Sequence, residues 1–159
     1  MSIFVNVTPA RAPKTANVRV VALLLAGVFT VMAVAQLFTF EDFPALIADF
    51  LLPSGSKTAP LIAALIVTFE IFAIPFLLGM ALSPLMRWTS MLFGWAVVAI
   101  WVFISLWLNV ADTVATTAGF LGTTVKVPIG WWTVFFSLAL AVLMAWASWG
   151  QWPATLRKK

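Results

Sequence analysis

The chain has 159 residues, of which 64% are hydrophobic and only 9% charged, and its mean hydropathy is +1.10. A soluble domain carries roughly a quarter of its residues as Asp, Glu, Lys or Arg, so this chain cannot cover its own surface with charge and belongs in a membrane. Net charge is +4, with no Cys and no His, which excludes dithiol chemistry, the usual zinc, copper and haem ligation, and any Ser-His-Asp or Cys-His nucleophile.

Four apolar stretches approach the ~20 residues a helix needs to cross the hydrocarbon core. They cover residues 20–40, 59–82, 88–108 and 129–149. The first is too long for the apolar region of a cleaved leader and no A-x-A-like site follows it, so it is expected to be retained. The fold class expected is all-α: one four-transmembrane-helix bundle over residues 1–159, with a basic amino-terminal segment before it and a short tail after it.

Orientation follows from the basic residues. Arg11, Lys14, Arg19, Arg87, Arg157, Lys158 and Lys159 fall on one side of a four-span chain, and only Lys57 and Lys126 on the other. That bias places both termini in the cytoplasm, and it is the distribution of an orientation signal, not of a nucleic-acid surface. Trp88, Trp131, Trp132, Trp149 and Trp152 fall at predicted span ends, where an indole suits the headgroup layer.

After the first span, FEDFPALIADFLLP reads as a short amphipathic helix in the interface. Asp42 is placed to cap it, Pro44 suits its first turn, and Phe43, Leu46, Ile47 and Phe50 share one face. Between the second and third spans the chain turns tightly at 83–87. The connection NVADTVATTAGFLGTTVKVP is rich in Thr, Gly and Val, and no regular element is assigned to it. Close helix contact in lipid relies on small residues. The candidates are Ala22 with Ala26, Gly79 with Ser83, Ser90 with Gly94, and the stripe Ser137, Ala141, Ala145.

Glu70 lies midway along the second span, in IVTFEIFAIP, one turn before Pro75, which is expected to kink the helix. An ionisable group at that depth costs on the order of 2.5–3.5 kcal/mol on insertion scales, so it is expected to face the bundle. Candidate partners near its depth are Thr30, Ser105 and Ser137, with Gln36 farther out along the first span. None is a cation, which points to a hydrogen-bonded carboxylic acid and not an ion pair. Three roles stay open for it: a neutral tie between helices, a contact for a quinone or other small ligand, and a proton or ion relay. A quinone pocket would be lined by rings such as Phe69, Phe72 or Phe103.

A basic amino end, a first span, a Phe-rich segment ending in Pro53, then APLIAALIVTFEIFAIPFLLG and a short basic turn together form a recognisable layout. Over about residues 19–108 it resembles the DoxX/DoxD and MauE-like group of small four-helix membrane proteins. The resemblance implies a bacterial or archaeal cell membrane and an association with redox systems, with the group's second-span glutamate falling at Glu70. Two departures stand out: the chain lacks the cysteines that redox-associated MauE-like members often carry, and Gln36 stands where a lysine often follows the first span. The function expected is therefore a membrane subunit or accessory factor of a redox system without thiol chemistry of its own. Its partners would be the bilayer and a redox protein or further copies of itself. A quinone-reactive subunit and a small proton-coupled transporter are the alternatives, and no metal and no resident cofactor is expected beyond quinone by analogy.

Overall fold

Three of the four long helices begin where a side-chain cap or an early proline satisfies or dispenses with an orphan amide. The computed structural model describes Val7 and residues 13–111 and 113–152; Arg11, Asp112, Arg157, Lys158 and Lys159 lie outside the described residues. Helix α1 (Ala16–Phe38) starts at Thr15, whose Oγ1 accepts from Val18 N at 3.4 Å. Helix α2 (Phe43–Asp49) is followed by a turn of 3-10 helix at Ser56–Thr58 and by α3 (Ala59–Leu77). Helix α4 (Pro84–Val110) starts at Ser83, whose Oγ accepts from Met86 N, with Pro84 in the first turn. The last helix is α5 (Trp131–Gly150).

Among the described residues there is no strand, and four helices are long and apolar enough to cross a membrane. The protein is thus an all-helical, multi-pass membrane bundle. Helix α1 packs on α3 and α5, and α4 packs on the same two, which closes a ring. Phe29, Leu25, Ile66, Val97, Leu140 and Met144 fill its centre. One end carries the connections 39–58 and 111–130 (the loop end). At the other, the terminal end, Lys14 N donates to the Gly150 carbonyl, the Lys14 ammonium lies 4.1 Å from the centroid of the Trp149 ring, and Val18 presses against Gly150.

The spans start and stop at places hydropathy does not see. The second ends at Leu77 and not near residue 82, because Gly79 adopts φ +67° and folds the chain back so that Leu78, Gly79 and Met80 amides reach the carbonyls of Ile74, Phe76 and Pro75. The tight turn accordingly lies at 78–83, and residues 84–87, expected to turn, form the first turn of α4. Asp42 precedes α2 but makes no side-chain cap. A cap at Asp42 would accept from the amides of residues 44 and 45, but Pro44 has none to give, and Asp42 itself sits in helical backbone (φ −95°, ψ −21°) instead of the extended conformation of a capping residue. The face of Phe43, Leu46, Ile47 and Phe50 is buried against α3 and the 111–130 connection.

Small residues draw the helices together where expected on α1 and α4. Ala22 and Ala26 are buried, and Gly94 sits so near Met144 and Ala73 that a methyl group there would lie 2.6 Å from Met144 Cε. The α5 stripe differs. Ser137 is buried, but Ala141 is half-buried and Ala145 exposed. A strict four-residue step drifts ~40° around a 3.6-residue helix each time, so the buried line instead follows Thr133, Ser137, Leu140, Met144, Ala147.

Pro75 lies inside α3, and α4 repairs what it disturbs. Ser90 Oγ accepts from Phe76 N at 3.1 Å and donates to the Phe72 carbonyl at 2.5 Å. One hydroxyl thus bridges the donor and acceptor of a single helical step beside the proline. Ser90→Ala strands both groups and is expected to cost about 1–3 kcal/mol, measured as a shift in the unfolding midpoint in mixed micelles. An unchanged midpoint would mean that Phe76 N closes directly onto Phe72 O.

Candidate functional site

Glu70 falls on the buried stripe of α3 with Ala63, Ile66, Val67, Ala73 and Phe76, so the helical period turns the carboxyl into the bundle. Gln36 ends the corresponding stripe of α1 after Phe29, Met32 and Ala33, and Trp101 continues that of α4 after Gly94, Val97 and Val98. All three side chains have no exposed surface. Gln36 Nε2 donates to Glu70 Oε1 at 3.3 Å, and Trp101 Nε1 donates to the same oxygen at 3.0 Å. The donors that reach the acid are both neutral.

Gln36 lies two residues from the end of α1, while Glu70 lies eleven residues into α3. They meet because antiparallel neighbours lean their side chains in opposite directions, each toward its own amino end, so that Gln36 and Glu70 lean toward one another. The depth-matched candidates go elsewhere. Thr30 is exposed and its hydroxyl donates to the Ala26 carbonyl of its own helix. Ser137 is buried and donates to Val134 O. Ser105 is buried, and its backbone carbonyl accepts from Asn109 Nδ2, which also reaches Gly130 O and Thr133 Oγ1 between α4 and α5. Of the residues singled out from sequence, Gln36 and Glu70 are brought together.

The connection 111–130 supplies the rest of the site. Residues 117–120 are buried, and Phe120 O accepts from Gln36 Nε2 at 2.9 Å. The Phe120 ring lies 4.6 Å from the Trp101 ring and 5.0 Å, edge-on, from Phe136. Beyond it, Thr123 N donates to Thr39 Oγ1 and Thr124 Oγ1 donates to Ala35 O, tying the connection to the end of α1. Gly122 permits this approach: at φ +60°, a methyl group there would meet Thr39 Oγ1 at 2.5 Å and Gln36 Cα at 3.1 Å. Two oxygens in the cluster have no hydrogen-bond partner: Glu70 Oε2 and Gln36 Oε1.

Protein-family models, curated proteins and solved structures yield no match to this chain. The site therefore has to be read from its own chemistry.

It holds one acid, one amide and one indole, all partnered across helices, and this chemistry can bind and position but offers no nucleophile–base pair. Phe69 stacks on Phe93 at 4.7 Å, Phe72 meets the same ring edge-on, and Phe103 is half exposed beside Trp107. The rings at the acid's own partners are instead Phe120 and Phe136. Trp101 was legible in principle: unlike the tryptophans at span ends, it lies mid-span, where its N–H must find a partner. Phe120 O gave no sequence signal, being a backbone group in an irregular segment.

Two apolar grooves open on the bundle's flank. One, of about 530 Å³, runs between α1 and α5 under the 111–130 connection and is lined by Leu24, Gly27, Met32, Phe120, Trp132 and Phe136 among others. The second, of about 490 Å³, lies between α3 and α4 against Leu52, Pro53 and Phe103. Glu70 lines neither.

Proposed function

We propose that the protein is a membrane subunit or accessory factor that docks and stabilises a partner in a membrane-associated redox system, without thiol chemistry of its own. The observation that carries this reading is how Glu70 is used. Its carboxyl has no exposed surface, and Oε1 receives donors from two other helices, so the acid ties α1, α3 and α4 into one scaffold. The redox partner class rests on the resemblance to the DoxX/DoxD and MauE-like group. Lys14, Arg19 and Arg87 belong to the terminal end and Lys57 and Lys126 to the loop end, which supports a cell membrane with the terminal end in the cytoplasm.

The test is isolation of the tagged protein from native membranes after brief cross-linking. The expected result is co-isolation of a protein carrying a redox cofactor, visible by its absorbance, in equal yield from wild type and Glu70→Gln. A monodisperse monomer without such a companion overturns the proposal.

A further inference from the structure

We propose that Phe120 is a hinged partition between the α1–α5 groove and the Glu70–Gln36 pair, and that the space it divides is a binding site for a membrane-dissolved molecule with a hydrocarbon body and a hydroxyl head. This goes beyond the docking reading and does not depend on it.

Phe120 has a role on each side of that wall. Its ring lies tilted against Trp101, the donor to Glu70, and its carbonyl holds Gln36, while its side chain also lines the lipid-open groove. The groove is lined by Leu24, Val28, Val31, Met32 and Leu121 beside its aromatic rings, which fits a hydrocarbon chain and nothing polar. Its floor includes Gly27, where an added methyl group would meet nothing within 4 Å, so no packing inside this chain calls for a glycine there.

Behind the wall the chemistry changes. Glu70 Oε2 and Gln36 Oε1 are buried without a hydrogen-bond partner: the amide oxygen lacks a donor, and the carboxyl oxygen, which carries the acid's proton, lacks an acceptor. A buried polar atom left unpaired costs about 1–3 kcal/mol, and a hydroxyl, which accepts and donates at once, relieves both. A ketone, ether or ester head accepts from the acid but brings no hydrogen to the amide oxygen, and is disfavoured for that reason. The occupant is therefore an alcohol or phenol.

The partition can move because of what flanks it. Gly119 at φ +77° and Gly122 at φ +60° bracket Phe120 and Leu121, and the anchoring bonds from Thr123 and Thr124 to α1 lie beyond the second glycine. A swing of the two bracketed residues opens the carboxyl to the groove while the rest of the connection stays tied. Neither groove is lined by Glu70 or Gln36; the first reaches them through Phe120, whereas no residue lining the second, such as Ile62, Leu65, Ile100 or Phe103, bonds to either.

The test uses the purified full-length protein in phosphatidylcholine vesicles and a lipid-soluble carbodiimide, with mass spectrometry of the peptide containing Glu70. The acid's proton moves to a carbodiimide nitrogen as its oxygen bonds the central carbon, so the label is a simple addition. Wild type is expected to label slowly, and Phe120→Ala about tenfold faster. Saturating 4-nonylphenol should protect both proteins about tenfold better than nonylbenzene, the factor that one hydrogen bond of ~1.4 kcal/mol supplies. Should Phe120→Ala fail to give a monodisperse protein, Phe120→Leu takes its place, and the comparison of the two probes in wild type needs no variant. Unchanged labelling in the Phe120 variant, no labelling of Glu70 in either protein, or equal protection by the two probes overturns the proposal. No partner protein is present, so such a failure leaves the docking result standing on its own.

Discussion

Glu70→Ala should lower the stability of the bundle by about 2–4 kcal/mol, whereas Glu70→Gln should change it by less than about 1 kcal/mol. In the alanine variant the Trp101 indole N–H loses the acceptor it reaches at 3.0 Å, and Gln36 Nε2 keeps only the Phe120 carbonyl. A void the size of the carboxyl arm adds to the loss. Interhelical hydrogen bonds in membranes average only ~0.6 kcal/mol because the unpacked helices find other partners. The larger figure here depends on full burial of all three groups. Glutamine preserves the acceptor for both donors, and its own N–H2 offers a hydrogen to Gln36 Oε1, which is otherwise without one. Midpoints of unfolding in mixed micelles measure both variants. Equal losses for Ala and Gln would show that the acid's proton, not its acceptor oxygen, holds the helices. A Glu70→Ala, Trp101→Phe double-mutant cycle then isolates the indole bond.

Gly94→Leu should be at least as damaging, with an expected loss of about 3 kcal/mol or more. The position has contacts on two sides. A Cβ there would lie 2.6 Å from Met144 Cε and 3.0 Å from Met144 Sδ on α5, and 3.5 Å from Ala73 Cβ on α3. Gly94→Ala is milder, because the clash falls on the flexible end of a methionine and alanine improves the helix by ~1 kcal/mol. Leucine has no such escape and pushes α4 off both neighbours. Thermal retention of the monodisperse peak after heating in detergent measures the series, and Met144→Ala is expected to recover most of the Gly94→Ala loss. A Gly94→Leu variant as stable as wild type would show that the α3–α4–α5 contact is looser than these distances state.

How far the sequence foretold all this depends on which physical signal each feature leaves. Four spans were legible because twenty apolar residues have little alternative to a membrane helix. The inward turn of Glu70 followed from the cost of exposing an acid to lipid. Ser90 and Gly94 were found as a small pair at helical spacing, although the role of Ser90 as a bridge across the Phe72–Phe76 step required knowing that α4 passes beside Pro75. Span ends were misplaced where capping outweighs hydropathy, at Ser83 and Gly79. Gln36, one of the two partners of Glu70, was named among four candidates but not chosen, since counting depth from helix ends ignores the opposite lean of side chains on antiparallel helices. Segment 117–120 left no periodic trace at all, because an irregular stretch is held by scattered backbone groups such as Phe120 O and Val127 O.

The acid's ties have a bearing on biogenesis. Gln36, Glu70 and Trp101 all precede α5 in the chain, and synthesis delivers the amino-terminal parts first. Once three spans have entered the bilayer, the carboxyl already has both of its donors. Insertion therefore never obliges an unaccompanied acid to wait in oil for the final helix, and what α5 adds is the far wall of the ring, with Phe136 set behind the Phe120 ring.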